Sequence, residues 1–139
     1  MTEPAPVILL VEDNEDNRII YATILRHGGY EVHEAVNGVE GVDKARALRP
    51  ELVLMDISVP LIDGWEATRI LRSDPETARM RIIAVTAHAL PGDEERSLEA
   101  GCDGYIAKPI TPVALLAEVN RLLGRPTLPS YTALRSALA

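Results

Sequence analysis

The chain has one cysteine, Cys102, so no disulfide can form within it. It has no apolar run approaching the roughly 20 residues needed to cross a bilayer. The opening Met1-Thr2-Glu3-Pro4 lacks the basic flank and apolar centre of a secretory leader. Basic residues are too few to balance the acids, and the net charge of −7 argues against a binder of nucleic-acid phosphates, which needs clustered Lys and Arg. There is no internal repeat and no low-complexity segment. These absences point to a cytoplasmic protein that engages neither nucleic acid nor membrane. Of the 139 residues, 47% are apolar and 25% charged, which suits one soluble domain with a real core.

The most informative stretch is Leu52-Val53-Leu54-Met55-Asp56, four apolar residues that end in a carboxylate. A short apolar run bounded by loop residues reads as a buried strand of a parallel sheet. The pattern recurs: Val7 to Val11 ends in Glu12-Asp13, Arg81 to Val85 ends in Thr86, and Asp103 to Ala107 ends in Lys108-Pro109. Tyr30 to Ala35 alternates enough for a further strand toward an edge. Between these runs the spacing predicts helices over about 15–27, 38–48, 65–72, 91–100 and from 112. Asn37 and Thr111 are suited to cap two of them, and Pro91 and Pro112 to open two. Gly28-Gly29 is read as a left-handed stop for the first helix, and Gly101 as the cap of the fourth. The expected inward faces are Ile20, Tyr21, Ile24 and Leu25; Val39, Val42, Ala45 and Leu48; and Val113, Leu115, Leu116, Val119, Leu122 and Leu123. The fourth helix is almost wholly polar, with Leu98 as its expected anchor, and so is the expected moving element. Five alternations of strand and helix imply an α/β fold with helices on both faces of a parallel sheet. The boundaries read as a lead-in over 1–6, one domain over 7–123 and a tail over 124–139. The tail has three open readings: disorder, a short helix from Ser130 docking on its own domain, or a partner or dimer contact.

In an open α/β sheet, ligands sit at the carboxyl ends of the strands. Those ends here deliver three acids, a hydroxyl and an ammonium. Close-packed carboxylates repel, which a bound divalent cation relieves. Mg²⁺ prefers oxygen ligands and commonly uses one or two carboxylates with phosphate and water. Asp13 and Asp56 are the expected direct ligands, with the longer Glu12 acting through water. A carboxylate can also accept a phosphoryl group as an aspartyl phosphate, and transfer needs its equatorial oxygens neutralised. Lys108 can pair one oxygen and the Thr86 hydroxyl can bond another; Ala87 leaves room for a donor. Lys108-Pro109 is a candidate for a cis peptide.

The set Glu12-Asp13, Asp56, Thr86 and Lys108-Pro109 resembles the receiver domain of two-component response regulators, as do Asp63-Gly64 and Gly101-Cys102-Asp103-Gly104-Tyr105. The resemblance covers residues 7–123 and is nearest to stand-alone receivers of the chemotaxis and cell-cycle kind, some of which carry a segment similar to Gly92-Asp93-Glu94-Glu95-Arg96. It implies a flavodoxin-like five-stranded sheet in the order 2-1-3-4-5. It implies phosphorylation of Asp56 by a histidine kinase or a histidine phosphotransfer protein, with Mg²⁺ held partly by the backbone carbonyl of Ser58. It also implies a switch in which Thr86 moves toward the phosphoryl group, Tyr105 turns inward, and the face of the fourth helix, fifth strand and fifth helix changes for an unidentified downstream protein. Glu12 stands where many members have Asp.

Plainer readings stand beside these. Tyr105 could be an ordinary half-buried aromatic. His88 and the Ser58 side chain could modulate dephosphorylation or be surface residues. His27 and His33 read as surface residues, Cys102 as a small buried filler, and Trp65 as packing at a helix start or a partner contact. A haloacid-dehalogenase-type phosphatase would place a second Asp where Ser58 stands, and a flavodoxin electron carrier would not follow its first strand with Glu12-Asp13-Asn14-Glu15-Asp16. The expectation is therefore a signalling phosphoacceptor, not an enzyme acting on other substrates, and a monomer or weak homodimer. Met1 just before the first strand favours a free-standing start over a receiver cut from a hybrid kinase.

Overall fold

A computed structural model describes residues 4–87 and 90–125. His88 and residues 126–139 of the tail fall outside them, and with them the expectations placed there.

The elements run β1 (Val7–Val11), α1 (Glu15–His27), β2 (Glu31–Ala35), α2 (Gly38–Leu48), β3 (Leu52–Asp56), α3 (Gly64–Ser73), β4 (Arg81–Thr86), α4 (Asp93–Ala100), β5 (Gly104–Ala107) and α5 (Pro112–Leu123). All strand pairs are parallel, in the order β2-β1-β3-β4-β5. This is the expected α/β sheet. Among the described residues no helix is long and apolar enough to cross a membrane.

The unbroken apolar runs follow from burial on both faces, because side chains alternate along a strand. Leu9, Val11, Val53, Met55, Ile82 and Ala84 meet α2 and α3 through Val42, Ala45, Ala67 and Leu71. Ile8, Leu10, Leu52, Leu54, Ile83 and Val85 meet α1 and α5 through Tyr21, Leu25, Leu115 and Val119. Side-chain caps start the helices. Asn14, Asn37, Asp63 and Thr111 accept from the backbone N–H three residues on, the interaction that satisfies an otherwise orphaned donor.

Several expected details differ. α3 begins at Gly64, capped by Asp63. Tyr30 precedes β2 instead of opening it, and it is buried. The left-handed glycine after α1 is Gly29; Gly28 has an ordinary helical backbone. α4 opens after a left-handed Gly92, not at Pro91. Ile20, Val39, Leu48 and Val113 face outward, because the sheet covers a narrower stripe than each apolar pattern offers. Leu98 is the main correction. It is 55% exposed, and the residues that α4 buries are Asp93, Ser97 and Ala100.

Candidate functional site

Strand register places the chemistry. Val11 lies beside Met55, Asp56 beside Val85, and Thr86 beside Ala107, so the residues that end these strands share one edge. Glu12 is held there by its N–H, which donates to Ala35 O at 3.0 Å. The Arg18 guanidinium donates to the carbonyls of Glu12 and Asp13 and pairs with Glu34 at 3.2 Å, which fixes the turn that presents the two acids. Arg18 sits one helical turn after the Asn14 cap. That spacing was the only hint of its role in the sequence.

Asp56 and Glu12 are 3% and 1% exposed, whereas Asp13 is open to solvent. The Lys108 ammonium donates to Asp56 Oδ2 at 2.7 Å and to Glu12 Oε1 at 2.8 Å. The other oxygens are also used: Asp56 Oδ1 accepts from the Ser58 N–H at 2.8 Å and Glu12 Oε2 from the Asn14 N–H at 3.1 Å. The Lys108–Pro109 peptide is cis, and the Lys108 N–H donates to Thr86 O at 2.7 Å.

Burial pushes the Glu12 carboxyl above its ordinary range, and the charge of Asp56 adds to this. Hydrogen bonds from Lys108 and Asn14 oppose it without cancelling it. For Lys108, burial acts to lower the pKa, but the hydrogen bonds to Asp56 and Glu12 outweigh it and hold the group well above its ordinary range. Lys108 is therefore a permanent cation at this edge.

The Lys108 ammonium pairs with two of three clustered carboxylates, so among these groups negative charge is in excess. One oxygen from each of Glu12, Asp13 and Asp56 lies within 4.8 Å of the others. Clustered hard oxygens with uncompensated charge are a donor set that fits Mg²⁺. Ala87 is exposed and borders a surface cavity of about 440 Å³ that Tyr21, Lys108 and Pro109 also line. Thr86 is buried at the end of β4. Tyr105 is half-buried on β5 against the α2–α3 side of the core, and its phenol is pushed up by burial and by the nearby charges of Asp93 and Glu94. Ser58 is exposed. The edge thus brings together Glu12, Asp13, Asp56, Ser58, Thr86, Ala87 and Lys108, with Tyr105 one strand away.

The model of the response regulator receiver domain matches residues 8–120. This chain belongs to the response regulator receiver family. A curated relative, the polar-differentiation response regulator DivK of Brucella anthropi, is 42% identical over 117 residues, spanning 84% of this chain and 95% of DivK. DivK of Brucella ovis is 40% identical over the same length. Among solved structures, the receiver domain of sensor histidine kinase PA1611 from Pseudomonas aeruginosa PAO1 is 40% identical with a TM-score of 0.81, and the match covers 86% of this chain and 98% of that one. That structure holds a magnesium ion in its active site cleft. The chemotaxis response regulator CheY4 of Vibrio cholerae is 26% identical with a TM-score of 0.80, over 85% of this chain and 98% of that one.

As a receiver, the chain has residues whose role no local pattern revealed. Arg72 of α3 donates to Gly101 O, Ala78 O and Met80 O and pairs with Asp103 at 2.7 Å; Asp103 in turn accepts from the Ile82 N–H. This knot ties α3, β4 and the start of β5 at the end of the sheet opposite the acids. Gly64 has a packing reason. A Cβ there would lie 2.6 Å from Ile57 Cα and 2.7 Å from Asp56 O, so only glycine lets α3 start directly against the acid-bearing strand.

Proposed function

We propose that this receiver accepts a phosphoryl group on Asp56 from a phosphohistidine of a histidine kinase or histidine phosphotransfer protein, in a reaction that requires Mg²⁺. The observation that carries this reading is a buried carboxylate at a strand end, with one oxygen on the Lys108 ammonium and two further acids beside it. An Asp56 oxygen attacks phosphorus, the N–P bond breaks, and the imidazole leaves with its electron pair. Lys108 neutralises one phosphoryl oxygen, the Thr86 hydroxyl donates to another, and Ala87 leaves the approach open. Asp13, Asp56 and the Ser58 carbonyl would hold Mg²⁺, with Glu12 acting through water. When bound, the ion neutralises charge on the transferring group. Asp56 then presents a dianionic group, Thr86 is drawn toward it, and Tyr105 takes the space behind β4. The face of α4, β5 and α5 changes for a protein partner. The Ser58 side chain and His88 set how water reaches the aspartyl phosphate. The chain catalyses only reactions of its own Asp56, in the cytoplasm. The α5 stripe turned into the core supports a monomer.

A second reading follows from the similarity to the PA1611 receiver, which belongs to a sensor histidine kinase. In that reading the chain passes phosphoryl groups onward as a relay intermediate. Transfer back from Asp56 to a histidine phosphotransfer protein would separate relay from output.

The test is intact-protein mass after incubation with acetyl phosphate. One added phosphoryl group is expected for wild type with Mg²⁺, and none for Asp56→Asn or with chelator. Equal uptake by Asp56→Asn would overturn the reading. Release of inorganic phosphate from acetyl phosphate in the same tube, compared between wild type and Asp56→Asn, separates fast turnover from no reaction.

A further inference from the structure

We propose that Trp65 is a latch: it holds α4 in its resting packing, and loading of Asp56 works against it. This rests on the receiver reading above and adds a regulatory contact to it.

α4 has few reasons to stay where it is. It spans eight residues, too short to be stable alone, and its inward side carries Asp93, Ser97 and Ala100 while Leu98 points to solvent. Specific ties must therefore set its position, and two adjacent residues of α4 grip one side chain of α3. The Trp65 indole N–H donates to the Ser97 hydroxyl at 2.9 Å, and Ser97 is fully buried. The Arg96 guanidinium lies 4.1 Å from the centre of the same ring, a cation–π stack. Trp65 also packs against the α2–α3 side of the core.

The other end of the tie reaches the acceptor. Trp65 follows Gly64, whose N–H donates to Ile57 O at 3.1 Å and whose Cα leaves no room for a Cβ against Asp56 and Ile57. The contact chain Asp56–Gly64–Trp65–Ser97 runs through β3 and α3. It runs through different elements from Thr86 and Tyr105, which lie on β4 and β5.

The sign follows from linkage. A tie present in one packing of α4 favours that packing by whatever the tie contributes. If loading Asp56 uses another packing, cutting the tie raises affinity at Asp56 by the same factor by which loading weakens the tie. One neutral hydrogen bond corresponds to about a fivefold change.

The test uses Ser97→Ala, a change that keeps helix propensity, with Arg96→Ala at an exposed position as a second variant. Beryllofluoride with Mg²⁺ serves as the phosphoryl mimic, followed by the fluorescence of Trp65, the only tryptophan in the chain. Ser97→Ala should still take up one phosphoryl group from acetyl phosphate. Its beryllofluoride midpoint should fall about fivefold, and without ligand its amide exchange over 93–100 should quicken by a similar factor. Arg96→Ala should shift the midpoint about twofold in the same direction. A merely structural Ser97 would leave the midpoint unchanged or raise it. That outcome, with normal phosphoryl uptake by wild type, would overturn the latch and leave the receiver reading standing. Absence of uptake and of any beryllofluoride response in wild type would overturn both.

Discussion

Replacing Gly64 by alanine tests how tightly α3 is fitted to the acid-bearing strand. The backbone of Gly64 is not left-handed, so conformational strain is no objection to alanine there. The objection is space. The added carbon would stand 2.6 Å from Ile57 Cα and 2.7 Å from Asp56 O, where ordinary contact begins at 3.4 Å. Both are backbone atoms of the sheet edge and cannot rotate away. Relief needs a shift of roughly 0.8 Å in either α3 or the end of β3, and overpacking of that kind costs about 1–3 kcal/mol. Alanine returns about 0.5–1 kcal/mol by restricting the unfolded chain. The net expectation is a loss of about 1–2 kcal/mol, or roughly 4–8 °C in Tm for a domain of this size. Because the shift moves Asp56 itself, uptake of phosphate from acetyl phosphate should slow by about tenfold or more. Gly28→Ala is the matched control. Its nearest obstacle is the far end of the Leu116 side chain at 2.5 Å, which can swing aside, so its stability should stay within about 0.5 kcal/mol of wild type. Urea and thermal unfolding of the three proteins, with mass-monitored phosphorylation, provide the comparison. A Gly64→Ala protein as stable and as reactive as wild type would refute the close fit of α3 on β3.

Lys108→Met removes the cation that pairs with Glu12 and Asp56, so Mg²⁺ should bind more tightly by calorimetry while phosphoryl uptake falls; weaker Mg²⁺ binding would contradict the charge argument. Arg72→Ala removes the side-chain donor to three carbonyls and the 2.7 Å ion pair with Asp103, and should cost about 3 kcal/mol in urea unfolding. Arg72→Lys should recover little of this, because an ammonium cannot reproduce the forked geometry. Burial pushes the Cys102 thiol above its ordinary 9.0, with Thr68 and Arg72 only partly opposing the shift. In the folded protein it should therefore resist thiol reagents at pH 8 and react at the rate of unfolding. Above about pH 9 the unfolded chain loses this proton before the folded one does, so stability should fall as pH rises through that window; a rise there would be inconsistent with the burial.

Much of the architecture was open to reading from the linear chain. β1, β3 and β4 are runs of apolar residues that stop at a polar group, and each such run is local information. The caps Asn37 and Thr111 could be read for the same reason, since capping involves residues three apart. The helix faces were harder. Apolar periodicity marks which residues can be buried, but the neighbouring element decides which are covered. Val39, Leu48 and Val113 fit their stripes yet lie beyond the edge of the contact. α4 inverted the expectation: its one large apolar residue faces out and a serine faces in, because the partner waiting inside is the polar edge of an indole. Trp65 was legible as a residue that packs, and Ser97 carried no signal.

The candidate site divides in the same way. The order of strands and helices, and the acids, hydroxyl and lysine that end the strands, were written in residue order. Parallel pairing then requires those ends to share an edge. Which atoms meet there was not. Lys108 reaches Glu12 across 96 residues and Asp56 across 52, and it satisfies both acids at once while backbone N–H groups take their other oxygens. The bracing by Arg18, the knot at Arg72 and the grip of Ser97 and Arg96 on Trp65 likewise exist only after distant segments pack. Hydrophobic pattern and capping act over a few residues and leave a trace in the order of the chain. Hydrogen-bond partners of buried polar groups are chosen by three-dimensional proximity, and many sequences could place a donor there from elsewhere.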